Sequence, residues 1–250
     1  MRKILLRGCN GRMGQAVSRL CAERDDITVA AGLDIVTDRL FGYPVFTDLT
    51  EFDGSADVLV DFSSPNGFDE VLAFCLRKKM PMVVCTTGHS AEQAAAIDKA
   101  ADEIPILRSG NMSLGIHLLV DLVKRAAAVL GGDFDVEIIE KHHNQKLDAP
   151  SGTALMLYGA AADGLPYQPD AVYDRHSVRQ KRGKSEIGMH TVRGGTIVGE
   201  HEVIFAGQNE TVTLSHSAGS REAFATGAVR AALFLASAVK PGLYGMADVL

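Results

Sequence analysis

Residues 140–154 read Glu-Lys-His-His-Asn-Gln-Lys-Leu-Asp-Ala-Pro-Ser-Gly-Thr-Ala and carry the densest set of reactive side chains in the chain. His142 and His143 titrate near neutral pH, so they can donate and accept protons. Lys146 adds a positive charge or a second proton donor. The Ser-Gly-Thr turn at 151–153 opens a predicted helix, and N–H groups at a helix start hold anions. We therefore predict a site that binds a substrate by its carboxylate and donates a proton to that substrate.

A second motif lies at the N-terminus, where a short apolar strand at 2–7 runs into Gly-Cys-Asn-Gly-Arg-Met-Gly at 8–14. A helical pattern follows from about residue 15 to 24. This order of strand, glycine-rich turn and helix is typical of a dinucleotide-binding unit, although the glycine spacing is not the usual one. Asp34 ends the next apolar run, 20 residues after Gly14. A carboxylate at that interval can bind the adenosine ribose.

Residues 1–113 alternate between strand and helix patterns, which predicts a parallel sheet. Ligands of such sheets bind at the carboxyl ends of the strands. We therefore predict one cofactor crevice there, although any of its polar members could be a turn former only. The predicted cofactor-binding residues are Gly8, Cys9, Asn10, Gly11, Arg12, Met13, Asp34, Cys85, Thr86, Thr87, Ser109, Gly110, Asn111 and Met112.

The second half has a different pattern. Long helices are predicted at 115–130, 151–163 and 221–239, and residues 164–184 are predicted to be a long loop. Strand-like runs at 134–140, 187–192, 200–205 and 211–217 predict a mixed, mostly antiparallel sheet. The fold class is therefore α/β, with a Rossmann-like parallel-sheet nucleotide domain and a second, α+β domain.

Composition excludes several classes of protein. The net charge of −6 argues against nucleic-acid binding, and no apolar run approaches the length of a membrane span. The four cysteines lie between positions 9 and 85 with no Cys-x-x-Cys pair, which favours reduced thiols in a cytoplasmic protein. Adjacent histidines are poorly spaced to share one metal, so no metal site is predicted. His201 and His216 fall in predicted strands and are interpreted as structural.

Both motifs together resemble one family, the 4-hydroxy-tetrahydrodipicolinate (dihydrodipicolinate) reductases. The resemblance covers the whole chain, and the runs Val-Gly-Glu-His at 198–201 and Gly-Ala-Val-Arg at 227–230 are also similar. It implies reduction of 4-hydroxy-tetrahydrodipicolinate to tetrahydrodipicolinate by NADH or NADPH, with loss of water, in diaminopimelate and lysine biosynthesis. It also implies a homotetramer, a nucleotide domain of residues 1–113 and 223–250, and a substrate-binding and tetramerisation domain of residues 114–222.

The resemblance also implies roles for residues of the 140–154 stretch. His142 matches the proton donor and acceptor, and Lys146 matches the second proton donor. His143 matches a substrate-binding position, and Gly152 and Thr153 match the residues that hold a substrate carboxylate. Asp148 has three open interpretations, since it could orient Lys146, orient a histidine or cap the turn.

The cofactor preference is predicted from Asp34, whose carboxylate repels the 2′-phosphate of NADPH. Family members that use NADPH well often have a basic residue next, where this chain has Ile35. Arg12 could still reach the phosphate, so NADH is expected to be preferred and NADPH use stays open. Cys85 stands where the family commonly has glycine, which would alter cofactor packing beside Thr86.

Two other functions remain as alternatives. Another NAD(P)-dependent reductase of a small carboxylate is one, although an aspartate-semialdehyde dehydrogenase needs a nucleophilic cysteine and no cysteine follows position 85. A non-catalytic NAD sensor is the other, although the acidic composition offers no basic recognition surface.

Overall fold

A computed structural model describes residues 1–237 and 239–250. The described chain divides into two compact units. Unit 1 consists of Met1–Leu114 and Arg221–Leu250, and unit 2 is Gly115–Ser220. The predicted boundaries lay after residues 113 and 222; the binding roles assigned to the two domains stay predictions.

Unit 1 contains a seven-stranded sheet in which every pairing is parallel. Its elements are β1 (Arg2–Arg7), α1 (Arg12–Ala22), β2 (Ile27–Leu33), β3 (Val45–Phe46), β4 (Val58–Asp61), α2 (Phe68–Lys78), β5 (Met82–Val84), α3 (Ala91–Ala100), β6 (Pro105–Arg108), α6 (Glu222–Leu235) and β12 (Gly242–Tyr244). The strand order is β12-β6-β5-β4-β1-β2-β3. The predicted Rossmann-like parallel sheet is confirmed.

The central strands of unit 1 are buried on both faces, as expected for a parallel sheet covered by helices. Alternate side chains of a strand point to opposite faces, and this alternation separates two cores. Ile4 and Leu6 of β1 pack in the core that contains α1 and α6 residues. Leu5 packs in the core that contains α2 and α3 residues. All the strands end at one edge, where the glycine-rich turn follows β1.

Two strands of unit 1 were missed by the sequence analysis, and one helix ends earlier than predicted. β3 and β12 have two and three residues, which is too short for a periodic pattern to be recognised. The helix predicted at 221–239 is α6, which ends at Leu235, and residue 238 lies outside the described residues.

Unit 2 contains a five-stranded mixed sheet of order β11-β10-β7-β9-β8. Its elements are α4 (Leu114–Leu130, begun by the last residue of unit 1), β7 (Asp135–His142), α5 (Gly152–Gly164), β8 (Asp170–Val172), β9 (Glu186–Arg193), β10 (Glu200–Ala206) and β11 (Thr211–Ser217). β10 is antiparallel to β7 and β11, whereas β7 and β8 are both parallel to β9. The predicted mixed sheet is confirmed, but the predicted loop at 164–184 contains the short strand β8.

One face of the unit 2 sheet packs on α4 and α5. Apolar side chains of β7 and β10, including Ile138 and Phe205, form a core with Leu119 of α4 and Leu157 of α5. Because β7 alternates strictly between buried and less buried positions, the direction of every later side chain on it is determined. This register positions the candidate site.

Candidate functional site

The alternating burial of strand β7 continues into the first residues of the 140–154 stretch. Val136 and Ile138 lie on its buried face, and Glu140 and His142 follow on the same face at the same two-residue period. Glu140 is 1% exposed and His142 is 9% exposed. A glutamate and a histidine thus stand where the strand otherwise buries hydrocarbon, and buried polar groups need hydrogen-bond partners.

Glu140 accepts hydrogen bonds from several separate segments. His142 Nδ1 lies 2.6 Å from Oε2, and Arg193 of β9 donates from Nη1 to Oε2 and from Nη2 to Oε1, each at 2.8 Å. Oε1 also accepts from Ser151 N at 3.1 Å and from Thr191 Oγ1 at 3.2 Å. Burial alone would raise the pKa of Glu140, but the hydrogen bonds from Arg193 and His142 outweigh it and bring the pKa to about 2.

The state of His142 follows from these contacts. An ionised carboxylate only accepts hydrogen bonds, so His142 Nδ1 carries a proton. Burial lowers the pKa of His142, and the Glu140 carboxylate opposes that effect without cancelling it. The imidazole is therefore neutral at neutral pH, with Nε2 as its open acceptor. Nε2 faces Gly199, where an added Cβ would lie 3.1 Å away.

His201 of β10 stands beside His142. The two ring centroids are 5.1 Å apart, with the rings edge to face. Burial lowers the pKa of His201 to about 4, and repulsion from His142 in its protonated form acts in the same direction. His201 Nε2 lies 3.2 Å from Ser151 Oγ, while its buried Nδ1 has no hydrogen-bond partner. The structure thus brings His201, interpreted from sequence as structural, into the same cluster.

Lys146 and Asp148 form an ion pair on the loop between β7 and α5. Lys146 Nζ lies 2.8 Å from Asp148 Oδ1, and this hydrogen bond lowers the pKa of Asp148. Of the three interpretations of Asp148, this contact favours the one in which it orients Lys146. Arg193 Nη2 donates to the backbone carbonyl of Asp148 at 2.7 Å, so the loop is tied to β9. His143 is half-buried, and its carbonyl accepts from Lys146 N.

The helix start at Ser151 has the geometry of an anion site. Ser151 caps α5, and its Oγ accepts from Ala154 N at 3.1 Å. Gly152 is exposed, with nothing within 4 Å of where a Cβ would lie. Thr153 follows in the first turn and is half-buried. The helix dipole and the accessible backbone at Gly152 suit a carboxylate group. All the predicted substrate-site residues therefore lie on one strand end, one loop and one helix start of unit 2.

In unit 1, the glycine turn has the close backbone packing that a pyrophosphate site needs. Gly8 has φ +78°, and a Cβ on Gly14 would lie 2.1 Å from the Gly8 carbonyl oxygen. Gly11 is the N-cap of α1 and brings no side-chain hydrogen bond to the first turn. The N–H groups at the start of α1, from Arg12 and Met13, are thereby left to an anionic ligand. The turn fits a dinucleotide.

Asp34 and Asn10 tie the glycine turn to the segment after β2. Asp34 accepts from Asn10 N and Ile35 N, both at 2.8 Å. The Asn10 side-chain amide donates to the carbonyls of Val36 and Asp38 at 3.3 and 3.1 Å. Asp34 thus stands at the edge of the turn with its carboxylate held by backbone N–H groups, where a ribose could add further hydrogen bonds.

The two cysteines predicted at the cofactor site point into the core. Cys9 is fully buried, and a Cβ on Gly32 would lie 2.4 Å from its Sγ. Burial raises the pKa of Cys9 to about 11. Cys85 is buried in the same core as Cys9. Any contact of these residues with a cofactor is therefore left to their backbone.

The remaining predicted cofactor residues lie at the ends of β5 and β6 and make local hydrogen bonds. Thr86 Oγ1 accepts from Ser63 N at 3.0 Å, Ser109 Oγ donates to the Asn111 carbonyl at 2.6 Å, and Asn111 Oδ1 accepts from Ser113 N at 2.8 Å. Met112 is buried. Exposed Thr87 and Gly110 are adjacent, since a Cβ on Gly110 would lie 3.4 Å from Thr87 Cγ2.

Several site residues were missed by sequence reasoning. Glu140 belongs to the 140–154 stretch, where residue type alone gives it no role, and the alternation of β7 places it on the same face as His142. No motif near Arg193 in the sequence indicates its contact with Glu140.

In unit 1, buried Asp61 at the end of β4 receives two hydrogen bonds from Arg7 Nη1, at 3.0 and 3.1 Å. Arg7 also donates to the carbonyls of Ser64 and Asn66, so this ion pair supports the turn after β4.

The described part of the chain, residues 1–237 and 239–250, is without a metal-binding cluster and without a membrane-spanning helix. Within them, no group of three or more His, Cys, Asp or Glu side chains could hold a metal ion. None of their helices is both long and apolar enough to cross a membrane.

Comparison with known proteins identifies one family for both units. Residues 2–112 match the family model described as dihydrodipicolinate reductase, N-terminus, and residues 115–250 match the one described as its C-terminus. The chain is 50% identical over 250 residues to the 4-hydroxy-tetrahydrodipicolinate reductase of Caldanaerobacter subterraneus subsp. tengcongensis, covering 100% of this chain and 98% of that protein. It is 45% identical over 252 residues to the same enzyme of Clostridium novyi, with the same coverage of both chains.

A solved structure supports the same assignment. The dipicolinate-bound dihydrodipicolinate reductase from Paenisporosarcina sp. TG-14 superposes with a TM-score of 0.83 at 26% identity, covering 100% of both chains. A probable dehydrogenase from Thermotoga maritima superposes with a TM-score of 0.61 at 12% identity, covering 99% of this chain and 92% of that one. The second likeness concerns the fold alone.

Proposed function

Because this chain belongs to the dihydrodipicolinate reductase family, we propose that it reduces 4-hydroxy-tetrahydrodipicolinate to tetrahydrodipicolinate in diaminopimelate and lysine biosynthesis. The ring hydroxyl takes up a proton and leaves as water, and a hydride takes its place on the ring. The observation that carries the proposal is the cluster in unit 2. There an ionised glutamate holds a histidine, with a lysine and an anion-binding helix start on the segment that follows.

The substrate is a small dicarboxylate, and the start of α5 offers a site for one of its carboxylates. Gly152 provides exposed backbone and Thr153 a hydroxyl at the positive end of the helix. His143 and Lys146 bring further donors from the preceding loop. Each would interact with a dianion through charge-assisted hydrogen bonds, which are stronger than neutral ones.

The proton chemistry is assigned to His142 and Lys146. A bound dianion favours protonation of a nearby histidine, because an opposite charge stabilises the imidazolium. His142 would then hold at Nε2 the proton that the reaction consumes. Hydride addition builds negative charge toward the ring nitrogen, and the Lys146 ammonium would stabilise that charge.

The family uses a nicotinamide cofactor, which supplies the hydride when bound. The glycine turn at 8–14 is the proposed pyrophosphate site, and Asp34 the proposed ribose site. Ser109–Met112 and Cys85–Thr87, at the ends of β6 and β5, are assigned to the same crevice. We propose that NADH is preferred, because Asp34 disfavours a 2′-phosphate and Ile35 brings no positive charge. Arg12 leaves NADPH use open.

We further propose a homotetramer assembled through unit 2 in the cytoplasm. The outer positions of β11 are exposed along the strand, so this edge of the sheet is available to another subunit. Light scattering of the purified protein measures the oligomer directly, and a monomeric mass would contradict this part of the proposal.

The test of the reaction is NADH oxidation, followed at the nicotinamide absorbance band with freshly generated 4-hydroxy-tetrahydrodipicolinate. We expect turnover by wild type and a fall in kcat of ~10²-fold or more in His142→Gln and in Lys146→Ala, the usual scale of a lost proton donor. His190→Gln and Lys141→Ala are matched controls. Both are partly exposed residues of the same sheet, each paired with a glutamate, and should retain activity.

The alternatives predict different results in the same assay. A reductase of another small carboxylate would leave this substrate untouched but oxidise NADH with its own. A sensor would bind NADH without turning over any substrate. If a folded wild type binds NADH and oxidises none of it, the proposed reaction is wrong.

A further inference from the structure

Glu140 is the most heavily hydrogen-bonded side chain of the unit 2 cluster, and the proton chemistry above does not use it. Five donor atoms reach its carboxylate from the end of β7, from β9 and from the start of α5.

We propose that Glu140 is a positioning residue that fixes the tautomer and orientation of His142, and that Arg193 holds the Glu140 carboxylate in place for it. The proposal rests on the proposed role of His142 as the proton-carrying group.

The contacts of the two His142 ring nitrogens determine its tautomer. Glu140 Oε2 lies 2.6 Å from His142 Nδ1 and accepts a hydrogen bond from its N–H, so the proton stays on Nδ1. Nε2 is then the ring nitrogen that exchanges a proton with substrate. His201 packs its ring against that of His142, and Gly199 lies beside Nε2 without a side chain. A glycine there keeps that side of the ring open. Orientation and tautomer are thus set before substrate arrives.

Arg193 gives the carboxylate a single arrangement. Its two terminal nitrogens contact both Glu140 oxygens, a bidentate pairing that holds the plane of the carboxylate. The same guanidinium donates to the carbonyl of Asp148, whose side chain pairs with Lys146. One arginine therefore supports both groups assigned to proton transfer.

The pKa of His142 depends on all the charged groups that face it. Glu140 favours the imidazolium, whereas Arg193 and Lys146 disfavour it. His201 faces it from β10, and Asp148 acts through its pairing with Lys146. Removing Glu140 or Arg193 must therefore change the His142 pKa in opposite directions.

Glu140→Gln tests the tautomer directly. Three donors (Ser151 N, Thr191 Oγ1 and Arg193 Nη2) converge on Oε1, so the amide oxygen of the variant should occupy that position. The amide NH2 then faces His142 Nδ1, which must become the acceptor. The proton moves to Nε2, and the neutral ring is held in the wrong tautomer.

The primary measurement is 15N NMR of histidine-labelled resting protein, with the His142 signals assigned by their absence in His142→Gln. We expect wild type to carry the neutral-ring proton on Nδ1 and Glu140→Gln to carry it on Nε2. The His142 titration should move to lower pH in Glu140→Gln and to higher pH in Arg193→Gln. Glu137→Gln is the matched control, since Glu137 also contacts a histidine and an arginine, His190 and Arg182, on the other face of β7. It should leave His142 unchanged.

Steady-state kinetics provides the second readout. With Glu140→Gln, kcat should fall ~10²-fold while the substrate KM changes much less, because a proton transfer is impaired and the carboxylate site is retained. An unchanged His142 tautomer and titration in Glu140→Gln would overturn the inference. If Glu140→Gln does not fold, Arg193→Gln decides, and a His142 titration that fails to move to higher pH overturns it.

The NMR readout needs no substrate, which separates this inference from the proposed reaction. Wild type that does not turn over 4-hydroxy-tetrahydrodipicolinate but shows the expected tautomers contradicts the reaction and supports the role of Glu140. Turnover with no tautomer change contradicts the role of Glu140 and supports the reaction.

Discussion

His201 makes the stability of unit 2 depend on pH, and His201→Gln should remove its contribution to that dependence. Burial lowers the pKa of His201 from an ordinary value of 6.5 to about 4. Between those two values the unfolded chain binds a proton at His201 and the folded chain does not. The free energy of unfolding therefore decreases as pH falls from 6.5 toward 4. Well above pH 6.5 both states leave His201 neutral, so it does not change the free energy of unfolding there.

The size of the effect follows from the two pKa values. The difference between the two pKa values lowers the free energy of unfolding by about 3 kcal/mol below pH 4. About 2 kcal/mol of this decrease occurs between pH 7 and pH 5. Over that interval carboxylates with low pKa values, such as Glu140, stay ionised and contribute little. His142, whose pKa is also lowered by burial, adds to the loss in wild type and variant alike.

The assay is urea unfolding followed by far-UV circular dichroism at pH 7 and pH 5, because the chain has no tryptophan. Protein concentration is kept constant, since an oligomer's stability depends on it. Wild type should lose about 2 kcal/mol more than His201→Gln on going from pH 7 to pH 5. His176→Gln, at an exposed loop position, should behave like wild type. Equal losses in wild type and His201→Gln would refute the reasoning.

Three further results are expected in unit 1. Gly14→Ala should raise the Kd for NADH by ~10-fold or more in a fluorescence titration. The added Cβ would lie 2.1 Å from the Gly8 carbonyl oxygen, so the turn must shift. An unchanged Kd would count against the turn as the pyrophosphate site. Arg7→Met should lower the free energy of unfolding in urea by ~3–5 kcal/mol, because the buried Asp61 carboxylate loses its ion-pair partner. Adding Asp61→Leu should recover most of that loss, and a double variant as unstable as Arg7→Met would mean that the unpaired charge is not the cause. Asp34→Ala should raise the use of NADPH relative to NADH, measured as the ratio of kcat/KM values, and an unchanged ratio would contradict the role assigned to that carboxylate.

The architecture of both units was largely predictable, because it follows from local patterns. Continuous apolar runs separated by helical segments predicted the parallel sheet of unit 1, and the patterning of the second half predicted a mixed sheet. The missed elements were all short, and one long helix, predicted at 221–239, ends earlier, at Leu235. β3, β8 and β12 have two or three residues, and pairing with neighbouring strands, rather than any periodicity of their own, makes them strands.

The candidate site was predictable in its chemistry and less so in its contacts. His142, Lys146 and the Ser-Gly-Thr turn were recognisable because they are close in sequence and have distinctive side chains. Glu140 was visible but had no assigned role. Arg193 lies 53 residues from Glu140, and His201 lies 50 residues from Ser151, so neither pairing could be found by spacing.

The sequence by itself determined which groups can carry protons, where backbone can approach a phosphate, and the α/β class, because these depend on residue type and short-range period. Only the tertiary structure decided the protonation states of Glu140, His142 and His201. A pKa depends on desolvation and on the charges nearby. In this protein Glu140 and His142 are neighbours on one strand, but Arg193 and His201 come from strands that are distant in sequence and meet them only when the sheet of unit 2 is assembled.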